Sequence, residues 1–181
     1  MAKLIYALTQ SLDGYVAAID GELVLPPPDD ALFRYFTDRE SDLGGGLYGR
    51  RIYEVMRYWD EDQPEWGALQ HDFAAAWRAH PKWVVSRTLT SVEPGYVLVD
   101  RDVEAFVRNL KSEIDDDIVV AGPELAGSLT EAGLIDEYHL YFQPAVLGSG
   151  KPYFARARPP LRFVAMDRVG ESVVRLTYEP A

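Results

Sequence analysis

Three short stretches, two with small and cationic residues and one with small residues ahead of a helix, have patterns suited to holding an anion. Gly49, Arg50 and Arg51 follow the strand-like Leu47-Tyr48 and open a helical run that continues towards Trp59. Arginine at a helix start opposes the macrodipole, so an outside partner is needed to hold it there. A bound phosphate is one such partner, because guanidinium presents a planar fork of donors. A surface carboxylate is the other. Ser86 and Arg87, followed by Thr88, repeat the theme after the apolar run Trp83-Val84-Val85. Ala121, Gly122 and Pro123, with Glu124 and Leu125 behind them, supply the third stretch. There Ile118, Val119 and Val120 end in a tight break before a helix. A helix N-terminus facing the carboxyl end of a buried strand binds anions, although the same residues also suit a plain strand-to-helix turn.

Candidate proton donors are Asp13, Asp29 and Asp30. Asp13 sits in the turn Ser11-Leu12-Asp13-Gly14, where an aspartate also serves as a turn cap. Asp29 and Asp30 precede a helix carrying Leu32, Phe33 and Phe36, and either can cap it. The sequence does not choose between capping and catalysis. His71 and His80 lack partners at metal-ligand spacing and read as surface or capping residues, so no metal site is expected.

The elements that must position these residues follow from periodicity. Leu4 to Thr9 and Tyr15 to Ala18 read as strands, as do Lys82 to Val85, Tyr96 to Val99 and Ile118 to Val120. Asp136 to Leu147 alternates Tyr138, Leu140 and Phe142 against His139, Tyr141 and Gln143, which is a further strand. Helical spacing runs over Glu65 to Ala79 through Leu69, Phe73 and Trp77, and from Val103 to Ile114. Pro123 starts a helix that places Leu125, Leu129 and Leu134 roughly on one face and stops at Gly133. After Gly148-Ser149-Gly150, Phe154 is expected to plug the core. Leu161 to Met166 and Ser172 to Tyr178 form a terminal hairpin. The expected architecture is α/β, with a mostly parallel sheet, helices on both faces and a C-terminal antiparallel hairpin.

The 181 residues suit one domain with an ample core, and 48% hydrophobic and 12% aromatic residues describe a folded globule. A formal charge of -11 argues against nucleic-acid binding through a broad basic face. The absence of cysteine excludes disulfides, thiolate metal sites and thiol redox chemistry. Asp13 falls too early for a signal peptide and no stretch reaches membrane-span length. The expected compartment is therefore the cytoplasm, with no membrane partner.

The segments SLDGYVA (Ser11 to Ala17), LYGRRIYE (Leu47 to Glu54), VVSRTL (Val84 to Leu89), VVAGPELAGSLTEAGLIDE and PAVLGSG resemble the dihydrofolate-reductase-like superfamily. The resemblance is best to the reductase domain of the bifunctional riboflavin-biosynthesis deaminase/reductase, and it runs from Lys3 to Tyr178. It implies a dihydrofolate-reductase-like fold that binds NADPH and transfers hydride to a small heterocyclic, pyrimidine- or pterin-like substrate. By this similarity Gly49, Arg50 and Arg51 grip the cofactor phosphates, and Ser86 and Arg87 meet the 2′-phosphate. Ala121, Gly122 and Pro123, with Glu124 and Leu125, then lie at the pyrophosphate and nicotinamide side. Asp13 falls in the segment beside nicotinamide and substrate. The resemblance also implies a homodimer, with the terminal strands or the Tyr138 to Phe142 strand as interface. Two positions depart from the pattern. Ile52 stands where Thr is common, and Ala121-Gly122 stands where the family has Gly-Gly, a peptide that is cis in dihydrofolate reductases. A protein that keeps the fold and a ligand pocket without catalysis is the alternative these departures favour. An aromatic oligomerisation surface of Tyr138, Tyr141 and Phe142 is a third reading.

Overall fold

The computed structural model describes residues 1–181. In chain order its strands are β1 (Leu4–Gln10), β2 (Tyr15–Ala17), β3 (Gly45–Gly49), β4 (Lys82–Val85), β5 (Tyr96–Val99), β6 (Ile118–Ala121), β7 (Glu137–Phe142), β8 (Lys151–Pro152), β9 (Leu161–Val169) and β10 (Val173–Pro180). The helices are α1 (Asp30–Ser41), α2 (Arg50–Met56), α3 (Ala68–Ala79), α4 (Val103–Glu113) and α5 (Pro123–Glu131). Eight strands make one sheet in the order β5-β4-β3-β6-β1-β7-β10-β9. The first six are mutually parallel, and β10 and β9 add an antiparallel edge. The remaining pair, β2 and β8, forms a small antiparallel ribbon.

Alternation along the central strands divides the core into two layers, because successive strand side chains point to opposite faces. Leu4, Tyr6, Ile118, Val120 and Tyr138 pack with Val107 and Leu110 of α4 and Ala126 and Leu129 of α5. Ile5, Ala7, Val119, Ala121 and Tyr141 face Leu32 of α1, Tyr53 of α2, and Phe73 and Trp77 of α3. Strand β6 lies between β3 and β1 and is buried along its whole length. A parallel strand covered on both faces reads as a continuous apolar run, as Ile118 to Val120 does.

The glycines of β3 make room for aromatic rings. A Cβ on Gly45 would stand 2.4 Å from the Trp83 ring, and one on Gly46 would stand 1.9 Å from the Tyr48 hydroxyl. Tyr48 therefore folds back along its own strand. Helix α5 ends where expected: Gly133, at φ 65°, lets its N–H reach the Thr130 carbonyl while Leu134 N–H reaches Leu129. These paired bonds satisfy two otherwise orphaned helix carbonyls.

Several expectations are corrected. Helix α3 starts at Ala68, after the turn that holds Glu65 and Trp66. The Asp136 strand ends at Phe142, where the chain passes into the loop tied to Asp13. Tyr138 and Tyr141 are buried, each 1% exposed, so they form no aromatic surface. Strand β7 lies between β1 and β10 and has no free edge to serve as an interface. Of the two readings for His80, capping holds, since it is the C-cap of α3, while the surface reading does not: it is buried against Tyr48, with 3.2 Å between its Nε2 and the tyrosine hydroxyl. The core plug is Tyr153; Phe154 is only half-buried. Tyr153 stacks on Tyr6 at 4.2 Å, and each hydroxyl donates to the other residue's carbonyl, at 2.9 and 2.8 Å. An aromatic body with a satisfied polar tip suits a buried position.

Candidate active-site cleft

A cleft of about 670 Å³ opens at the carboxyl ends of β3 and β6 and runs inward beneath α1 and α3. That position is where ligands bind in open parallel sheets. Its mouth is formed by Gly49, Arg50 and Arg51 on one side and Ala121 to Leu125 on the other. The two turns touch. A Cβ on Gly122 would meet the Gly49 nitrogen at 3.4 Å, and Gly122 itself holds φ 122°. The backbone conformation, rather than space, disfavours a side chain at Gly122. No peptide bond is cis, so Ala121-Gly122 is trans.

The arginines at the mouth have protein partners. Arg50 donates to Glu54 at 2.7 Å and to Thr88 Oγ1 at 3.1 Å. The Thr88 contact joins the first cationic stretch to the Ser86 loop. Arg51 donates to the Asp20 carbonyl at 3.0 Å and so pins the loop between β2 and α1 beside the cleft. Ser86 is buried, and its hydroxyl oxygen accepts from the backbone of Thr88 and Leu89 at 3.2 and 3.1 Å. That oxygen shapes the turn, while the neighbouring Arg87 is exposed. Neither residue lines the cleft, whereas Gly49 to Ile52 and Ala121 to Leu125 do.

The three aspartates also lie outside the cleft lining. Asp13 accepts from the Ser11 hydroxyl at 2.6 Å and from the amides of Leu147 and Gly148 at 3.1 and 2.7 Å. Those bonds favour its charged form and hold its pKa below the usual carboxylate range, Ser11 contributing most. Asp29 caps α1 through Leu32 N–H at 2.7 Å and ties it to the Glu171 amide at 3.0 Å, which lowers its pKa likewise. Asp30 is exposed and faces Arg34 at 3.9 Å.

The inner cleft holds polar residues that the sequence did not single out. Arg39 and Glu40, on the last turn of α1, line it together with Tyr48, Trp77 and Tyr141. The Arg39 guanidinium stands 5.8 Å from the Tyr141 ring centroid. Burial pushes the Glu40 carboxyl up to about 7, with Arg39 and Lys82 acting in the opposite direction. His80 is driven down to about 4 by burial and by Lys82. The only sequence signal for this group is that Arg39 and Glu40 follow Phe36 by three and four positions, which turns them towards the same helix face.

The fold, with its parallel sheet, two helical layers, antiparallel edge and cleft at the strand carboxyl ends, is dihydrofolate-reductase-like. The RibD C-terminal domain model matches residues 2–175, and the chain belongs to that family. Uncharacterized protein YyaP of Bacillus subtilis (strain 168) is 28% identical over 187 residues, covering 97% of this chain and 94% of that one. A crystal structure of a Shewanella sp. PV-4 protein assigned to riboflavin biosynthesis superposes with TM-score 0.72 at 25% identity, covering 100% and 99% of the two chains. Enterococcus faecalis dihydrofolate reductase, complexed with NADP(H) and RAB-propyl, gives TM-score 0.65 at 16% identity over 98% and 96%. The last of these likenesses is one of fold.

Proposed function

We propose that the protein is an NADPH-dependent reductase of a small heterocyclic substrate. The observation that carries this reading is the continuity of the cleft. Two close-packed turns, one bearing Arg50 and Arg51, form its mouth and lead directly into an aromatic chamber. A dinucleotide needs a cationic, side-chain-poor entrance, and a planar substrate needs apolar walls with few polar groups. The residues fit NADPH: Gly49 and Gly122 leave backbone close to the ligand, and α5 begins at Pro123 with no side chain capping its first turn. Arg50 and Arg51 would hold phosphate groups, and the exposed Arg87 would meet the 2′-phosphate from the adjoining loop. Bound NADPH supplies the hydride.

The chain's own residues then bind, orient and exclude water. Phe33, Phe36, Tyr48 and Trp77 provide the dry walls that hold a flat ring. Asp13, Asp29 and Asp30 have the structural roles given above, which leaves Glu40 as the carboxyl group in the chamber. The test is a titration of the purified protein with NADPH and then NADH, followed by tryptophan quenching. Micromolar binding that prefers NADPH, with oxidation of the dinucleotide in the presence of pyrimidine or pterin substrates, is the expected result. Failure to bind either dinucleotide overturns the reading.

A further inference from the structure

Polarity changes abruptly along α2 and the turn that follows it. The residues this segment gives to the cleft are, in order, Arg50, Arg51, Ile52, Val55, Met56 and Trp59. Both arginines stand in the first turn, and no charged side chain of the segment lines the cleft beyond them. Lys151, the third cation at the mouth, is exposed on β8 beside Ala17. The chamber beyond is walled by rings that pack on one another. Phe33 meets Trp59 and Phe73 edge to face at 5.9 and 5.5 Å, and Trp59 meets Phe73 at 4.8 Å. Against the sheet, Phe36 meets Tyr141 at 5.3 Å and Tyr48 meets Trp77 at 5.1 Å. Two charged residues lie among these rings, and neither offers a free cation. Arg39 keeps its guanidinium over the Tyr141 ring with Nη2 enclosed, and it is near enough to lower the Glu40 pKa, so the two charges offset each other. Lys82 is buried, and its ammonium donates to the carbonyls of Trp77 and His80 at 2.7 and 3.0 Å. Burial still pushes the Glu40 carboxyl up to about 7, the mark of surroundings that solvate a negative charge poorly. A phosphate carried into such a chamber loses its hydration and gains no cation in return.

We infer that the chamber takes an uncharged aromatic substrate that carries no phosphate or carboxylate and is held by ring packing rather than by ion pairing. This deepens the proposed function by naming the substrate class, and it rests on that reading. The bound dinucleotide occupies the mouth and takes up the cations there, which leaves a phosphorylated substrate none. The mouth selects for phosphate and the chamber selects for flat apolar surface.

The experiment is an NMR titration at pH 8, where Glu40 is ionised, with naphthol and naphthyl phosphate as probes of one shape and different charge. It is run on the free protein and on the protein saturated with NADP⁺, and where no NADP⁺ binds the free protein decides. Naphthol is expected to bind the NADP⁺ complex more tightly than naphthyl phosphate by about tenfold or more. Met56→Lys places an ammonium among the rings and is expected to bring the two probes to within about threefold of each other. Equal or tighter binding of naphthyl phosphate to the wild-type complex overturns the proposal whether or not the variant folds, as does failure of naphthol to bind. So does an undiminished preference in a folded Met56→Lys protein. The NADP⁺ titration of the same samples separates the two ideas. Binding of NADP⁺ with naphthyl phosphate preferred sinks the substrate class alone. Preference for naphthol without NADP⁺ binding supports the substrate class and sinks the cofactor reading.

Discussion

At the residue scale, Arg50 bears most directly on the cofactor reading. Its guanidinium is shared between Glu54 and Thr88 in the free protein, so phosphate binding exchanges one partner for another. A charge-assisted hydrogen bond is worth about 1.5–3 kcal/mol, against about 0.2–1 kcal/mol for an exposed helix ion pair. Arg50→Ala is therefore expected to weaken NADPH binding by tenfold or more on the order-of-magnitude scale of that bond. Glu54→Gln should tighten binding, by less than about fivefold, because it removes only an exposed competitor. Fluorescence titration of the two variants beside the wild type checks both signs. A tighter Arg50→Ala complex or a weaker Glu54→Gln complex contradicts the assignment of Arg50 to a phosphate.

At the element scale, β3 and the turn before α5 are set by space. Tyr48 folds over Gly46, and its hydroxyl occupies the position a Cβ would need. Gly46→Ala forces Tyr48 from its place against Trp77 and His80, an overpacking change that costs about 1–3 kcal/mol. Urea unfolding at constant slope measures it, and a loss below about 0.5 kcal/mol would show that Tyr48 moves freely. Gly122→Ala strains a residue at φ 122° that packs against Gly49. It is expected to lower stability and abolish NADPH binding together, since the same two turns form the cleft mouth. Retained affinity in a folded Gly122→Ala protein would separate the mouth from the cofactor.

At the scale of the whole molecule, three buried groups give stability a pH dependence. Glu40 is raised from 4.5 to about 7, so between those values the folded state holds an extra proton and stability falls as pH rises. His80 and His139 are lowered from 6.5 to about 4, so there the unfolded state holds the extra protons and stability rises with pH. From pH 4.5 to 6.5 the balance is two protons against one, a net gain of about 1.4 kcal/mol per pH unit. Glu40→Gln removes the opposing contribution, and the slope should roughly double. Denaturation at pH 5 and pH 6 reads it directly, and an unchanged slope would place the Glu40 carboxyl in water.

Of the two interfaces the resemblance implies for a homodimer, the terminal strands are the one left with a free edge. With β7 enclosed, β9 is the available terminal edge, and it exposes Phe163, Val164 and Met166. An exposed apolar edge strand is a template for pairing. Met166→Lys is expected to shift sedimentation towards monomer without altering NADPH binding. A monomeric wild-type protein would instead show that this edge stands alone.

Strand and helix order were legible in the sequence because local rules write them. Ile118 to Val120 is too apolar to be anything but enclosed, Pro123 and Gly133 bound one helix, and the two hairpin strands alternate. The cationic stretch at Gly49 and the small-residue turn at Ala121 were legible for the same reason, since strand ends in a parallel sheet converge on one edge. Tertiary structure alone decided which polar residues face the cleft. Asp29 and Asp30 precede a helix just as capping or catalytic residues would, and only the position of the Glu171 amide shows Asp29 spanning from α1 to the β9–β10 turn. Arg39 and Glu40 look like ordinary charges in a polar helix end. Glu40 is enclosed beside His80, at the end of α3, and Arg39 lies over the Tyr141 ring of β7, both supplied by elements distant in sequence. Backbone pattern is a local property of the chain, whereas the solvation of a side chain is set by whatever distant element packs against it, and that sum exists only in the folded molecule.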